Sequence, residues 1–358
     1  MNLSYFVKTV VSVFLSLHLL ACGSGGGSLE RPTPTPQPAV PQPKFAQSGL
    51  ESRTVNRLLV TESVIYAATD AGLYAQIDGQ WQLRSQADWH VLDMVRFGER
   101  HLLVSASQKD KSLLAETKDD GLNWQIIEHN FGGMEGEPAR RLVLHQGNLY
   151  GVGYDVLAVS EDRGRHWRIL AGGWNGFARG MSALAAHPTK PDVWYGGQGA
   201  IENIVLRKLD TETLAEESYP DIVDLLPMPS TVKSIVFHPA NPEQLYVSGE
   251  GGIILSQDYG QSWQALRTNE NYRFYFGLLL DSRDPDVMYT AGWKKDYDNP
   301  QSLILEISRD GGDTWQNYQH PDSNLFGGVY SMGSRNEQGK EVLYLGLFRG
   351  GVMRVVFE

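Results

Sequence analysis

Hydrophobic positions along this chain fall in short runs bounded by turn residues, and few segments repeat with the period of an amphipathic helix. Val156-Leu157-Ala158-Val159, Val232 to Phe237 and Ile253-Ile254-Leu255 are examples, and each reads as a strand. Such runs divide the chain into seven units, at 56–85, 91–129, 139–171, 181–218, 232–266, 275–319 and 328–358. Each unit has an apolar first strand, a Tyr/Val-rich second strand and a third, and most have a fourth. Glu212 to Glu217 has room for at most one turn of helix. The last unit stops at Glu358 after its third strand, so the missing strand is expected from Phe45-Ala46-Gln47-Ser48-Gly49-Leu50-Glu51. That closure joins the two ends and removes exposed sheet edges.

One motif recurs between third and fourth strands: Ser/Thr-x-Asp-x-Gly-x-x-Trp. Its Asp and Trp are Asp119 and Trp124, Asp162 and Trp167, Asp258 and Trp263, and Asp310 and Trp315. The Asp positions lie 43, 96 and 52 residues apart, the middle gap spanning about two repeats, and a recurrence of this length marks a radial or solenoid repeat. The carboxylate can accept bonds from turn N–H groups, the Gly supplies a positive φ, and the Trp buries apolar area while its indole N–H seeks a partner. Four carboxylates in the same slot of four repeats cannot converge on one site, so they are read as turn staples. The first unit keeps only Asp78-Gly79-Gln80-Trp81, and the fourth has lost both Asp and Trp, carrying Leu209-Asp210-Thr211-Glu212-Thr213-Leu214.

These residues resemble the Asp-box (BNR) repeat, which implies an all-β fold: a seven-bladed β-propeller of four-stranded antiparallel blades, closed by an N-terminal strand. His187-Pro188-Thr189-Lys190-Pro191-Asp192-Val193-Trp194-Tyr195 aligns with His238-Pro239-Ala240-Asn241-Pro242-Glu243-Gln244-Leu245-Tyr246, and a weaker copy runs from Asp281 through Asp284-Pro285-Asp286 to Tyr289. This segment is similar to the turn between the first two strands in sortilin-type and xyloglucanase-type propellers. Tyr246-Val247-Ser248-Gly249-Glu250-Gly251-Gly252-Ile253 resembles blades of the photosystem II assembly-factor propellers. The likeness spans roughly residues 55–358 and specifies fold better than function, since these families include receptors, assembly factors and glycosidases.

The N-terminus reads differently. Lys8 precedes an apolar run from Thr9 to Leu20, followed by Leu19-Leu20-Ala21-Cys22. The run is short for a span and ends in a small residue, as in a signal peptide. Cys22 is the only cysteine, and its setting resembles a bacterial lipobox, which implies lipidation at that residue. Several acyl chains on one residue anchor firmly. Gly23 after the cysteine, by resemblance to Gram-negative sorting rules, favours the outer membrane. The expected organisation is a signal peptide at 1–21, a lipidated Cys with a Gly/Ser/Pro-rich tether at 22–44, and the propeller at 45–358. The Pro-Thr-Pro-Thr-Pro-Gln-Pro stretch from Pro32 favours polyproline II, and at about 3.1 Å per residue the tether reaches some tens of ångströms.

A net charge of −11 excludes the positive footprint that nucleic-acid binding needs. Zinc spacings and phosphate-cradling loops are missing from the sequence, so no metal or cofactor is expected. In a propeller, the inter-blade loops and the second-to-third-strand loops open on one face. Here they carry Trp89, Trp174, Phe177, Arg179, Tyr272, Arg273, Trp293, Lys294 and Lys295, an aromatic and basic set suited to recognition. The expected partner is an envelope protein segment or a glycan, bound by a monomer. A glycan hydrolase is the alternative, using the loop carboxylates Asp155, Glu202, Glu250 or Asp296, which would need a facing pair. The arginine cluster of sialidases opens with Arg-Ile-Pro, a tripeptide missing here, which speaks against that activity.

Overall fold

The computed structural model describes residues 41–134, 136–174, 180–200, 203–269 and 273–358. Pro41–Glu358 forms one compact unit. Its strands make seven four-stranded antiparallel sheets, each ordered first to fourth strand, the geometry of a seven-bladed propeller. Blades 1 to 6 span Val55–Leu83, His90–Ile127, Arg141–Gly173, Gly180–Ser218, Val232–Thr268 and Phe274–Gln319. Blade 7 takes three strands from Val329–Phe357 and its outermost one from Pro43–Gly49, which pairs antiparallel with Gly351–Phe357. The closing strand therefore starts slightly earlier than the sequence suggests. Its grip extends to blade 1, where Trp81 Nε1 donates to the Ser48 carbonyl at 2.9 Å.

Burial explains the sequence pattern. Each blade is covered on both faces by its neighbours, so second strands such as Ile65–Thr69, Leu245–Gly249 and Met288–Trp293 are buried throughout. Continuous apolar runs replace alternation for that reason. Outer strands such as Gln316–Gln319 are largely exposed and polar. The core is a ring of seven separate clusters, one per blade interface. One joins Tyr66 and Leu73 of blade 1 to Val91 and Val104 of blade 2, and another joins Val342 and Tyr344 of blade 7 to Val55 and Ile65 of blade 1.

The four recurrent loops share one hydrogen-bond pattern. In blade 3, Ser160 Oγ donates to Asp162 Oδ1 at 2.8 Å and accepts from Gly164 N at 2.8 Å. His166 N donates to Asp162 Oδ1 at 2.8 Å, and Trp167 Nε1 donates to the Gly164 carbonyl at 2.8 Å. Thr117, Asp119, Gly121 and Trp124 repeat this in blade 2, as do Ser256, Asp258, Gly260 and Trp263 in blade 5 and Ser308, Asp310, Gly312 and Trp315 in blade 6. The turn needs two consecutive left-handed residues, Arg163 at φ 61° and Gly164 at φ 93°, one more than the motif announces. The turn histidines have a similar role: His187 Nδ1 accepts from Lys190 N at 2.8 Å, and His238 Nδ1 accepts from Asn241 N at 3.1 Å.

Blade 4 manages without the motif. Asp210 Oδ1 accepts from Glu212 N and Thr213 N at 2.9 and 2.8 Å, closing a simple turn. The segment after it forms a 3-10 turn at Pro220–Leu225, where Tyr219 stacks on Trp194 at 5.0 Å and Ile222 is buried. The divergence of this blade is spent on packing between blades 4 and 5.

Candidate binding face

Antiparallel order puts the inter-blade segments and the second-to-third-strand turns at one end of the channel. The four Asp loops sit at the other end. At the first end, a β-bulge interrupts the start of the first strand in blades 1, 2, 4, 5, 6 and 7. The bulged residues touch around the axis: Asn56 Nδ2 donates to the Val91 carbonyl at 2.8 Å, Ser182 Oγ to the Val232 carbonyl at 2.6 Å, and Phe276 stacks on Tyr330 at 4.7 Å. Bulges re-aim side chains in this way.

The mouth so formed has an aromatic side and a cationic side. On blades 6 and 7, Trp293 packs edge-on against Tyr297 at 5.0 Å and Tyr330 at 4.9 Å, and Phe348 lies 5.5 Å from both Trp293 and Tyr330. Tyr297 is half exposed, and the Arg349 guanidinium donates to its carbonyl at 3.0 Å. Lys295 Nζ stands 5.3 Å from the Phe274 ring, and Lys294 beside it is exposed. On blade 3, Arg140 lies 5.1 Å over the exposed Tyr154 ring, and Arg141 donates to the Arg140 carbonyl at 2.7 Å. Between them is Lys233 of blade 5, its ammonium 5.2 Å from the Phe276 ring. Burial lowers the Lys233 ammonium to about 7, with Arg140, Arg141 and Lys295 adding to the effect and Glu250 opposing it. Burial likewise lowers Arg141 to about 10. Met134, fully exposed, and Met228, largely exposed, lie in inter-blade segments at the same end.

The structure redistributes the residues read from the sequence. Lys294 and Lys295 stand at the mouth. Trp174 is half-buried, its ring 4.9 Å from Phe131. Trp89, Arg273 and Trp293, expected as contact residues, are buried to 3, 4 and 3 % exposure. Trp89 packs edge-on against Trp124, and Arg273 turns inward to Glu306, so both belong to blade interfaces, while Trp293 backs the aromatic wall. Phe177, Arg179, Tyr272, Glu202 and Cys22 lie outside the described residues. Among the loop carboxylates, Asp296 caps its own turn, accepting from Asn299 N at 2.9 Å and Asp298 N at 3.1 Å, and these bonds hold its pKa below the usual carboxylate value. Glu250 accepts from Ser230 Oγ, and Asp155 is partnered. Arg140, Arg141, Lys233, Phe276 and Tyr330 were not legible as site residues, because they lie at or beside the starts of first strands, which read as core. A charged residue inside an apolar first strand, as in Thr231-Val232-Lys233-Ser234-Ile235, was the available signal.

The fold and this face define a closed propeller with a built channel mouth. No protein-family model and no curated protein matches the chain. Solved structures do share its fold. YCF48 bound to a D1 peptide matches with a TM-score of 0.61 at 17% identity, covering 89% of this chain and 100% of that one. The extracellular domain of a hybrid two-component system from B. thetaiotaomicron gives 0.65 at 14% identity, covering 88% of this chain and 39% of that one. An ancestral GH74 enzyme gives 0.63 at 14% identity, covering 86% and 48%. The similar structures thus include both a peptide-bound protein and a glycoside hydrolase, and at these identities they speak for the fold.

Proposed function

We propose that this chain is an envelope propeller, anchored through lipid on Cys22, that holds a segment of a partner protein at its channel mouth as a binding or assembly scaffold. The observation that carries the reading is the pairing of an aromatic wall (Phe276, Trp293, Tyr297, Tyr330) with lysines and arginines in a chain of net charge −11. Aromatic and Arg side chains on a rigid scaffold are the usual makings of a hot spot, and exposed Met134 and Met228 add adaptable apolar contact. An acidic or mixed segment with an aromatic anchor fits this chemistry. The peptide bound to YCF48 supports the choice of a protein segment over a glycan. Asp296 and Glu250, held by their own turn and by Ser230, are poorly suited to facing acid and nucleophile roles.

The test is co-purification from native envelopes with the triple variant Lys294→Glu, Lys295→Glu, Tyr297→Ala, whose sites are exposed. The partner recovered with the parent chain should be lost while melting is unchanged. Recovery of the same partner at full yield would refute the binding face, and release of sugar from envelope glycans would instead support the hydrolase reading. Cys22→Ser should move the chain from the membrane fraction to the soluble one.

A further inference from the structure

We propose that His187 makes the turn between the first two strands of blade 4 an acid-sensitive latch on blade 5. The turn lies at the end of the Asp loops, away from the mouth, and does not depend on the partner reading above. His187 directly follows the first strand, is 1 % exposed, and closes the turn by donating its own N–H to the Asp192 carbonyl at 2.8 Å. Its Nδ1 accepts from two amides, Thr189 N at 3.1 Å and Lys190 N at 2.8 Å. That nitrogen therefore carries no proton while the turn is closed, and Nε2 carries the ring's one hydrogen. Nε2 is buried and meets no hydrogen-bond partner among the described residues. A second proton has to enter at Nδ1, where it displaces both amides and leaves a buried cation.

Blade 5 rests on this ring and its turn. Phe237 and Tyr259 of blade 5 pack edge-on against the imidazole at 5.0 and 5.1 Å. From the same turn, Lys190 Nζ reaches Glu243 Oε1 at 2.7 Å and stands 3.6 Å from the centre of the Tyr259 ring, while the Tyr259 hydroxyl donates to Asp192. The charged groups around the imidazole are thus Lys190 and Asp192 of its own blade and Glu243 of blade 5, with Lys208 4.9 Å from the Tyr259 ring. Blade 3 adds His145, which approaches the Lys190 backbone. Burial holds the His187 pKa below its ordinary value and Lys190 adds to this, while the Pro242 backbone, Asp192 and Glu243 oppose it. Opening the turn frees the ring to take a proton at its ordinary value of 6.5, so the closed turn is favoured above that pH and loses ground below it. Blade 6 builds the equivalent turn on an oxygen: Asp281 Oδ1 accepts from Arg283 N at 3.0 Å, and Asp281 N donates to the Val287 carbonyl at 2.9 Å.

The experiment is hydrogen exchange of the full chain in detergent from about pH 7 to about pH 5, each rate divided by the intrinsic rate at that pH. Pro188 and Pro191 have no amide hydrogen, so exchange within 188–191 reports on Thr189 and Lys190, the two donors to the ring. Opening there should rise toward the limit of about 25-fold set by a ring that titrates near 6.5 only when free. Arg283 in the blade 6 turn should show no such rise. His187→Asn offers the same amides an oxygen acceptor, as Asp281 does, and has nothing to titrate, so its turn should stay closed across the range. The parent series and the blade 6 turn decide the matter without that variant. The latch is overturned if opening within 188–191 changes by less than about twofold, if the blade 6 turn opens to the same extent, or if His187→Asn opens with acid as the parent does.

Discussion

Glu306, in the third strand of blade 6, is fully buried and gathers donors from two blades. Arg267 Nε donates to its Oε2 at 2.7 Å, Tyr275 Oη to its Oε1 at 2.8 Å, and Arg273 Nη1 approaches Oε1 at 3.4 Å. Replacing Glu306 by Ala strands the Arg273 charge, which is only 4 % exposed and keeps one bond, from Nη2 to the Gly292 carbonyl at 3.1 Å. Arg267, at the edge of the cluster, can turn toward water. Breaking one side of a buried pair costs about 3–5 kcal/mol. Unfolding entropy of about 2.1 cal/mol/K per residue makes roughly 0.7 kcal/mol/K for the unit Pro41–Glu358, so Tm should fall by about 4–7 °C. The assay is calorimetry on Glu306→Ala, on the singles Glu306→Leu and Arg273→Leu, and on the double variant Arg273→Leu/Glu306→Leu. Removing both charges should recover much of the loss, since a buried pair replaced by apolar groups is often near neutral. A Tm drop of under about 1 °C for Glu306→Ala, or a double loss equal to the sum of the singles, would refute the coupling.

Three further outcomes follow from the same geometry. Deleting residues 41–49 removes the outer strand of blade 7 and the Trp81 acceptor, so the melting temperature should fall steeply and light scattering should show association through the bared edge; unchanged melting contradicts strand closure. Glu137, 6 % exposed, is raised by burial from 4.5 to about 6 despite the Tyr154 amide and Arg140, so the folded state holds its proton more tightly than the unfolded one. Stability should therefore decline by about 2 kcal/mol as pH rises through that window, and denaturant titrations of Glu137→Gln should lack this decline; equal slopes would count against it. Gly172 sits at φ 72°, and a Cβ there would lie 1.6 Å from the Asp155 carbonyl oxygen, so Gly172→Ala should destabilise by at least about 2 kcal/mol in urea unfolding.

Much of the scaffold is encoded locally. The Ser160, Asp162, Gly164 and Trp167 bonds close within eight residues, so the turn can be read from the sequence wherever those residue types recur. Strand boundaries were legible for a related reason: blades covered on both faces demand unbroken apolar runs, and those runs end where turns begin. The need for a closing strand also followed, since three strands in the last unit leave an edge. By itself, then, the sequence determined the blades, their turns and the way the ring shuts.

The functional face was decided by tertiary structure. Arg273 and Lys295 both belong to the basic set read from the loops, yet one turns into the blade 5–6 interface to meet Glu306 and the other stays at the mouth. No local rule separates them, because the acceptor that draws Arg273 inward lies on a strand 33 residues away. Lys233 and Arg141 sit on strands that read as core, and only the closed ring brings Arg140, Arg141 and Lys295 near enough to Lys233 for it to feel their charges. Charges carried by separate blades become one electrostatic site only when the ring closes, which is why the scaffold could be read along the chain and its mouth could not.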